Sequence, residues 1–157
     1  MKPVGHVVAG GILGGIGLVF VGWTVAIGAF LGSLLPDFDH IPSHWRIDPK
    51  SVFSFSKSLR IAEMLYRQHA QKPWLELAFL HTIEFFFFIF LLALIFHSAF
   101  FWAILGAMLL HAFLDYLSIA TRLEPLSLRC WSVIQYFVRK HRGEKTYFNL
   151  WPRGGGP

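Results

Sequence analysis

Charged residues are scarce in this chain. Of its 157 residues only 15% are charged, while 55% are hydrophobic and phenylalanine alone occurs 17 times. Soluble domains average about 25% charged residues, so this balance is typical of a polytopic membrane protein. The mean hydropathy of +0.53 points the same way. At this length we predict a single integral membrane domain over residues 1–157.

Cysteine is nearly absent as well. The single cysteine, Cys130, excludes an intramolecular disulfide and a zinc cluster built from several thiolates. No serine stands in a recognisable nucleophile motif, which disfavours hydrolysis through a covalent serine intermediate.

The apolar residues fall into long runs. Residues 4–35 exceed the roughly 20 residues that one span needs. The pairs Gly10/Gly14, Gly11/Gly15 and Gly28/Gly32 let helices approach closely in lipid. We therefore predict a helical hairpin with a tight turn near Val21-Gly22-Trp23. Its short second arm either crosses the membrane fully or is partly re-entrant. The alternative is that residues 4–35 form one strongly tilted span. The predicted fold is all-α, a polytopic bundle of about four transmembrane helices in two hairpins. The spans are residues 4–20, 21–35, 75–96 and 100–119.

Basic residues avoid the two predicted outer turns. All 14 lie in the N-terminus, the loop 41–74 or the tail 120–157, so the positive-inside rule places these regions and both termini in the cytoplasm. Segments 56–71 and 126–138 mix apolar and basic residues, which suits interfacial amphipathic helices. Anionic lipid headgroups explain the formal charge of +5. Membrane lipid is thus the expected partner, and no nucleic acid is expected.

A polar cluster ends the first apolar run. Pro36 disfavours helix continuation, and Asp37, Asp39 and His40 follow it within four positions. Ionisable groups at the edge of a span are costly unless something pairs with them. His6 falls at the same predicted depth, at the start of the first span.

Two further pairs of ionisable residues lie in the later spans. His81 and Glu84 are spaced i,i+3, and His111 and Asp115 are spaced i,i+4, so each pair shares a helix face. Mixed ligation without thiolates suits zinc, with manganese or iron as alternatives, at one or two ions per chain. Spare carboxylates, Glu84 or Asp115, would serve as general base. The predicted metal ligands are His6, Asp37, Asp39, His40, His81, Glu84, His111 and Asp115.

The same residues can instead have purely structural roles. Asp37 can cap a helix, His81 can be a histidine hydrogen-bonded within the bundle, and His111 with Asp115 can be a buried ion pair bracing two helices. His6 can simply lie at headgroup level. The remaining histidines are predicted not to be ligands, with His44 the nearest exception because it follows His40 by four residues. They are His44, His69, His97 and His141.

These motifs resemble the membrane-bound metal-dependent hydrolase family, also described as LexA-binding, inner membrane-associated hydrolases. The similarity lies in His6, the stretch Leu35-Pro36-Asp37-Phe38-Asp39-His40, a histidine early in the third span and His111-x3-Asp115, and it covers roughly residues 1–120. Members often carry His-Arg-Gly-x-Thr-His-Ser before the third span, where this chain has Leu80-His81-Thr82-Ile83-Glu84. The resemblance implies a bacterial or archaeal inner-membrane protein whose eight residues above are metal ligands or their neighbours.

The sequence thus predicts an integral membrane metal-dependent hydrolase at the cytoplasmic interface. Metal-activated water would attack a lipid-linked phosphoester or ester, with Arg46, Arg122 or Lys2 holding an anionic headgroup. One alternative is a non-enzymatic membrane anchor or regulator that recruits a cytoplasmic partner through its basic loops. Another is a small metal or ion transporter. The outer half offers only His97, at its very edge, so a continuous polar path is missing and transport is disfavoured.

Overall fold

The structure is a computed structural model. It describes residues 3–54, 56–58, 60–61, 64–65, 75, 77–121 and 130–145. Within these ranges the chain is helical and contains no β-strand, which confirms the all-α prediction.

Six α-helices and three 3-10 helices have both of their ends within the described residues. The α-helices are α1 (Pro3–Phe20), α2 (Trp23–Leu34), α3 (Ile41–Ile47), α4 (Ile83–Phe96), α5 (Ala99–Thr121) and α6 (Val133–His141). The 3-10 helices are Leu35–His40, Pro49–Phe53 and Phe79–His81. The chain divides into two compact units, Met1–Phe38 with Leu80–Glu124, and Asp39–Phe79 with Pro125–Pro157.

In the first unit, α1 and α2 form an antiparallel hairpin. The turn is tight because Gly22 adopts a φ of 121°, in the region that favours glycine. The amides of Val21 and Gly22 both donate to the carbonyl oxygen of Gly17, at 2.9 and 2.8 Å. Further along the hairpin Gly10 lies directly against Ser33. The contact leaves no room for a larger side chain at position 10 of α1.

Helix α2 also packs closely on α5. A Cβ atom added to Gly28 would lie 2.6 Å from the Phe100 carbonyl oxygen, and one added to Gly32 would collide with the backbone of Ile104. The Gly28/Gly32 pair therefore sets how near the two backbones come. By contrast, Gly11 faces open space.

Helices α4 and α5 form the second hairpin of this unit. Thr82 caps α4, its hydroxyl accepting a hydrogen bond from the Phe85 amide at 3.4 Å. The helix ends at His97, which adopts a left-handed conformation with φ of 46°. Ile89 of α4 packs against Met108 of α5 in the apolar core. Both hairpin turns thus lie at one end of the unit, and the N-terminus of α1 lies with the C-terminus of α5 at the other.

The second unit contains α3 and α6. Ser132 caps α6 through a hydrogen bond from the Ile134 amide at 3.1 Å, and Tyr136 packs with Leu75 and Cys130 in a small buried cluster. The Leu75 amide donates to the Lys145 carbonyl at 2.8 Å. Of the predicted interfacial segment 56–71, residues 56–58, 60–61 and 64–65 are helical. The other residues of that segment lie outside the described ranges, as do residues 126–129 of the second one.

One helix of the described chain is long and apolar enough to cross a membrane. Its span covers Ala99–Ser118 in α5, about 30 Å at 1.5 Å per residue. Gly5–Phe20 and Ile83–Phe96 are apolar but shorter, and α2 has 12 residues. The four-span topology stays a prediction.

Candidate metal centre

Titratable side chains gather at the end of the first unit that lies opposite the two hairpin turns. His6 from α1 and His111 from α5 are each only 2% exposed, His81 from the 3-10 helix before α4 is equally buried, and Asp115 is 5% exposed. Asp37, just after α2, completes the group with a side chain that is 26% exposed. Burying so many ionisable groups among apolar helices is costly unless they bind one another or an ion.

The carboxylate of Asp115 faces imidazoles with both of its oxygens. Oδ1 lies 3.2 Å from Nε2 of His6. Oδ2 lies 3.6 Å from Nε2 of His81 and 3.9 Å from Nε2 of His111. Asp115, near the end of α5, therefore contacts His6 of α1 and His81 of the 3-10 helix before α4. It also contacts His111, one turn earlier in α5.

The orientation of His111 is set by a backbone group. Its Nδ1 lies 2.7 Å from the carbonyl oxygen of Ser33, and because a carbonyl only accepts, Nδ1 is the donor. In the neutral ring the lone pair is then on Nε2, which lies 3.3 Å from Nε2 of His81 and 3.8 Å from Oδ1 of Asp37. Fixing the tautomer of an imidazole through its second nitrogen is the usual support for a metal-binding histidine.

The three imidazole rings take two different mutual orientations. His6 stacks on His111 with ring centroids 3.7 Å apart and planes inclined by 15°. His81 meets His111 edge-on, with centroids 5.2 Å apart and an angle of 64°. The Nε2 atoms of His81 and His111 thus lie close together, 3.3 Å apart. The rings of His6 and His111 instead lie face to face.

These residues can hold a metal ion. The ligand atoms of His6, Asp37 and His111 all lie within 4.8 Å of one another, and so do those of His81, His111 and Asp115. Two nitrogens bound tetrahedrally to zinc at 2.0–2.1 Å would be roughly 3.3 Å apart. The Nε2 atoms of His81 and His111 have that separation, 3.3 Å.

The structure brings together five of the eight predicted ligands. Glu84 lies in the first turn of α4 and is outside both of these groups of described residues. Asp39 and His40 belong to the second unit, and their coordination of the metal stays a prediction. The side chains of the predicted headgroup-binding residues Arg46 and Arg122, and of Lys2, lie outside the described part of the chain.

Three of the histidines predicted not to be ligands are described by the structure, and they belong to neither group of ligand atoms. His44 is buried in the second unit, where its Nδ1 is 2.7 Å from the Ser58 hydroxyl oxygen. His97 is exposed at the turn between α4 and α5, and His141 is exposed at the end of α6. His69 lies outside the described residues.

Sequence reasoning missed one functional group, the carbonyl of Ser33. The interaction uses the backbone, so any residue at this position supplies the same acceptor, and the side chain carries no signal. Only the close approach of α2 to α5 brings the carbonyl within 2.7 Å of His111.

No family model, curated protein or solved structure matches this chain. The resemblance to the membrane-bound metal-dependent hydrolase family therefore depends on the quoted motifs alone.

Proposed function

We propose that this protein is an integral membrane hydrolase that uses a divalent cation at the cytoplasmic membrane interface to cleave a lipid-linked phosphoester or ester. One observation carries the proposal: five histidine and aspartate side chains from four segments of the chain converge at one end of an apolar helical unit. Their donor set, three imidazoles and two carboxylates, suits zinc first, with manganese or iron as alternatives.

Exposed apolar side chains support a membrane setting for the first unit. Helix α4 exposes Phe87, Leu91 and Ile95, which are spaced by four residues and so form one stripe. In the span of α5 only 33% of the residues are buried, whereas the core helix of a soluble protein is mostly buried. Apolar surface of this extent marks contact with lipid or protein. We propose four spans in two hairpins, with both termini in the bacterial or archaeal cytoplasm by the positive-inside rule.

Helix α6 has the features of an interfacial helix. Tyr136 anchors one face in its own unit, while Ile134, Phe137 and Val138 are exposed on the other. Its last turn is basic, with Arg139, Lys140 and His141. An exposed apolar face beside cationic side chains is the pattern of a helix that lies on anionic headgroups.

The residues of the centre divide into different roles. A divalent cation bound there would lower the pKa of a water molecule and polarise a phosphoryl or acyl oxygen. His6, His81, His111 and both aspartates would hold one or two such ions. Because both oxygens of Asp115 face imidazoles, we assign the role of general base to Glu84, which lies in the first turn of α4, three residues after His81. Arg46 and Arg122 would bind an anionic headgroup.

Hydrolysis by the detergent-purified protein tests this proposal. The probes are dioleoyl phosphatidic acid in mixed micelles, p-nitrophenyl phosphate and p-nitrophenyl butyrate. Chelation is expected to abolish hydrolysis and zinc to restore it. His81→Ala is expected to lose at least about 10–100-fold in rate, because the loss of a residue that only supports a metal ligand already costs this much. His97→Ala, at the opposite end of the unit, is the matched control. Hydrolysis that survives chelation, or no hydrolysis of any probe by the zinc-loaded protein, would contradict the proposal.

A further inference from the structure

We infer that the centre holds two cations bridged by the carboxylate of Asp115, and that its substrate is accordingly a phosphoester. The inference rests on the proposed metal-dependent function and sharpens it in two respects, the number of ions and the substrate class. Three observations carry it: the stacking of His6 on His111, the division of imidazoles between the two oxygens of Asp115, and the hydrogen bond from His111 to Ser33.

The stacked rings argue against a single shared cation. An imidazole nitrogen binds a metal through a lone pair that lies in the plane of the ring. The planes of His6 and His111 are nearly parallel, inclined by 15° with centroids 3.7 Å apart. A cation in the plane of one ring is therefore well out of the plane of the other. Each of these two histidines needs a cation of its own.

His81 shares a cation with His111. Their rings are inclined by 64°, and their Nε2 atoms are 3.3 Å apart, so both lone pairs can point at one ion. Oδ2 of Asp115 lies 3.6 Å from one of these nitrogens and 3.9 Å from the other. His81, His111 and this oxygen form the first set of three ligands.

His6 belongs to the second set. Its Nε2 faces the other oxygen of Asp115, Oδ1, at 3.2 Å. The ligand atom of Asp37 lies within 4.8 Å of those of both His6 and His111. Because His111 already serves the first cation, we assign Asp37 to the second set. The two ions of known two-metal sites lie about 3.5–4 Å apart.

Asp115 is the bridge because His111 cannot be. The Nδ1 of His111 is committed to the Ser33 carbonyl at 2.7 Å, so the ring offers one ligand atom and serves one cation. A carboxylate offers two oxygens, and here each oxygen faces a different set of imidazoles. A pair of cations at this spacing clamps the attacking and leaving oxygens of an in-line displacement. For that reason we favour the phosphoester over the carboxylic ester.

Metal stoichiometry of the full-length, detergent-purified protein tests the inference. The protein is saturated with zinc, passed through a desalting column and analysed for zinc and for protein. We expect two ions per chain in wild type and in the control His97→Ala, and one ion in His6→Ala. Loading with Mn²⁺ instead is expected to give an exchange-coupled electron paramagnetic resonance spectrum in wild type, so the test does not depend on the variant folding.

The outcomes separate the two claims. One ion per chain in wild type, with an uncoupled Mn²⁺ spectrum, overturns the two-cation inference and leaves the metal-dependent function standing. An unchanged ion count in His6→Ala likewise overturns it. No retained ion contradicts both claims. Hydrolysis of p-nitrophenyl butyrate but of neither phosphate probe overturns the assignment of the substrate.

Discussion

Three contacts fix the position of the His111 side chain. Its Nδ1 donates to Ser33, its ring stacks on His6, and its Nε2 faces His81. With 2% of the residue exposed, none of these partners can easily be replaced by bulk water. The side chain is therefore both a ligand candidate and a structural connection between α2 and α5.

Replacing His111 is expected to lower stability even without metal. In His111→Ala the buried Ser33 carbonyl loses its donor, which costs about 1–3 kcal/mol. Denaturant unfolding in detergent with a chelator present should show this loss relative to wild type. The control His97→Ala removes an exposed imidazole and should change little. Equal stability of His111→Ala and wild type would contradict the described hydrogen bond.

Cys130 is expected to be nearly inert toward thiol reagents. The residue is fully buried, and burial raises the pKa of its thiol. A raised pKa leaves less thiolate at a given pH, and the thiolate is the reactive form. Maleimide labelling of the native protein at pH 7.5 should therefore be far slower than labelling after unfolding. Rapid labelling of the folded protein would contradict the burial of Cys130 with Leu75 and Tyr136.

At the residue scale, the sequence could indicate which of these residues lie near one another, but not the contacts that each one makes. Spacing put His111 and Asp115 on one face of a helix, and charge distribution put His6 at the same depth. The separate partners of the two Asp115 oxygens depend on how α1 and α4 lie around α5. No local pattern encodes that arrangement.

At the scale of elements, the contact between α2 and α5 positions the centre. Gly32 lies against the backbone of Ile104, and the next residue, Ser33, supplies the carbonyl that orients His111. Glycine spacing predicted close helix packing, but it could not say which pairs are used. Gly28 and Gly32 face α5, whereas Gly11 and Gly15 face open space.

Adding a methyl group at Gly32 is expected to weaken metal binding. In Gly32→Ala the new Cβ would collide with the Ile104 backbone and move α2 away from α5, taking the Ser33 carbonyl from His111. Loss of such an outer partner typically costs 10–100-fold in metal affinity. Zinc affinity by chelator competition measures the effect.

Gly11→Ala is the matched control for this substitution. It adds the same methyl group to a helix but meets nothing within 4 Å, and alanine favours helix by about 1 kcal/mol over glycine. Its zinc affinity should equal that of wild type. Equal affinities in both variants would exclude the proposed role of the α2–α5 contact.

Helix α6 allows a direct test of its proposed interfacial position. A spin label on Phe137→Cys should be protected from a water-soluble nickel relaxant in vesicles containing anionic phosphatidylglycerol, because the exposed apolar face would enter the headgroup boundary. The same label on Gln135→Cys should stay accessible, since this residue lies more than a quarter turn away from the centre of that face. Equal accessibility of both labels in these vesicles would exclude the membrane-facing orientation of α6.

For the whole molecule, the proposed membrane topology depends on where lysine and arginine are missing. The turns at Gly22 and His97 carry no lysine or arginine, and the polar centre lies at the opposite end of the same unit. The sequence could indicate this polarity because basic residues are excluded from one set of turns. It could not indicate the division into two compact units, since long-range contacts decide which segments pack together.

The central claim is that a divalent cation binds to buried imidazoles and carboxylates in the first unit. X-ray absorption at the zinc K-edge of the zinc-loaded, detergent-purified protein tests it most directly. We expect a shell of nitrogen and oxygen ligands at about 2.0–2.1 Å from zinc, with outer scattering from imidazole rings and no sulfur ligand. In His81→Ala the imidazole scattering should be weakened or lost. A zinc-free protein after desalting, or a shell without imidazole, would contradict it.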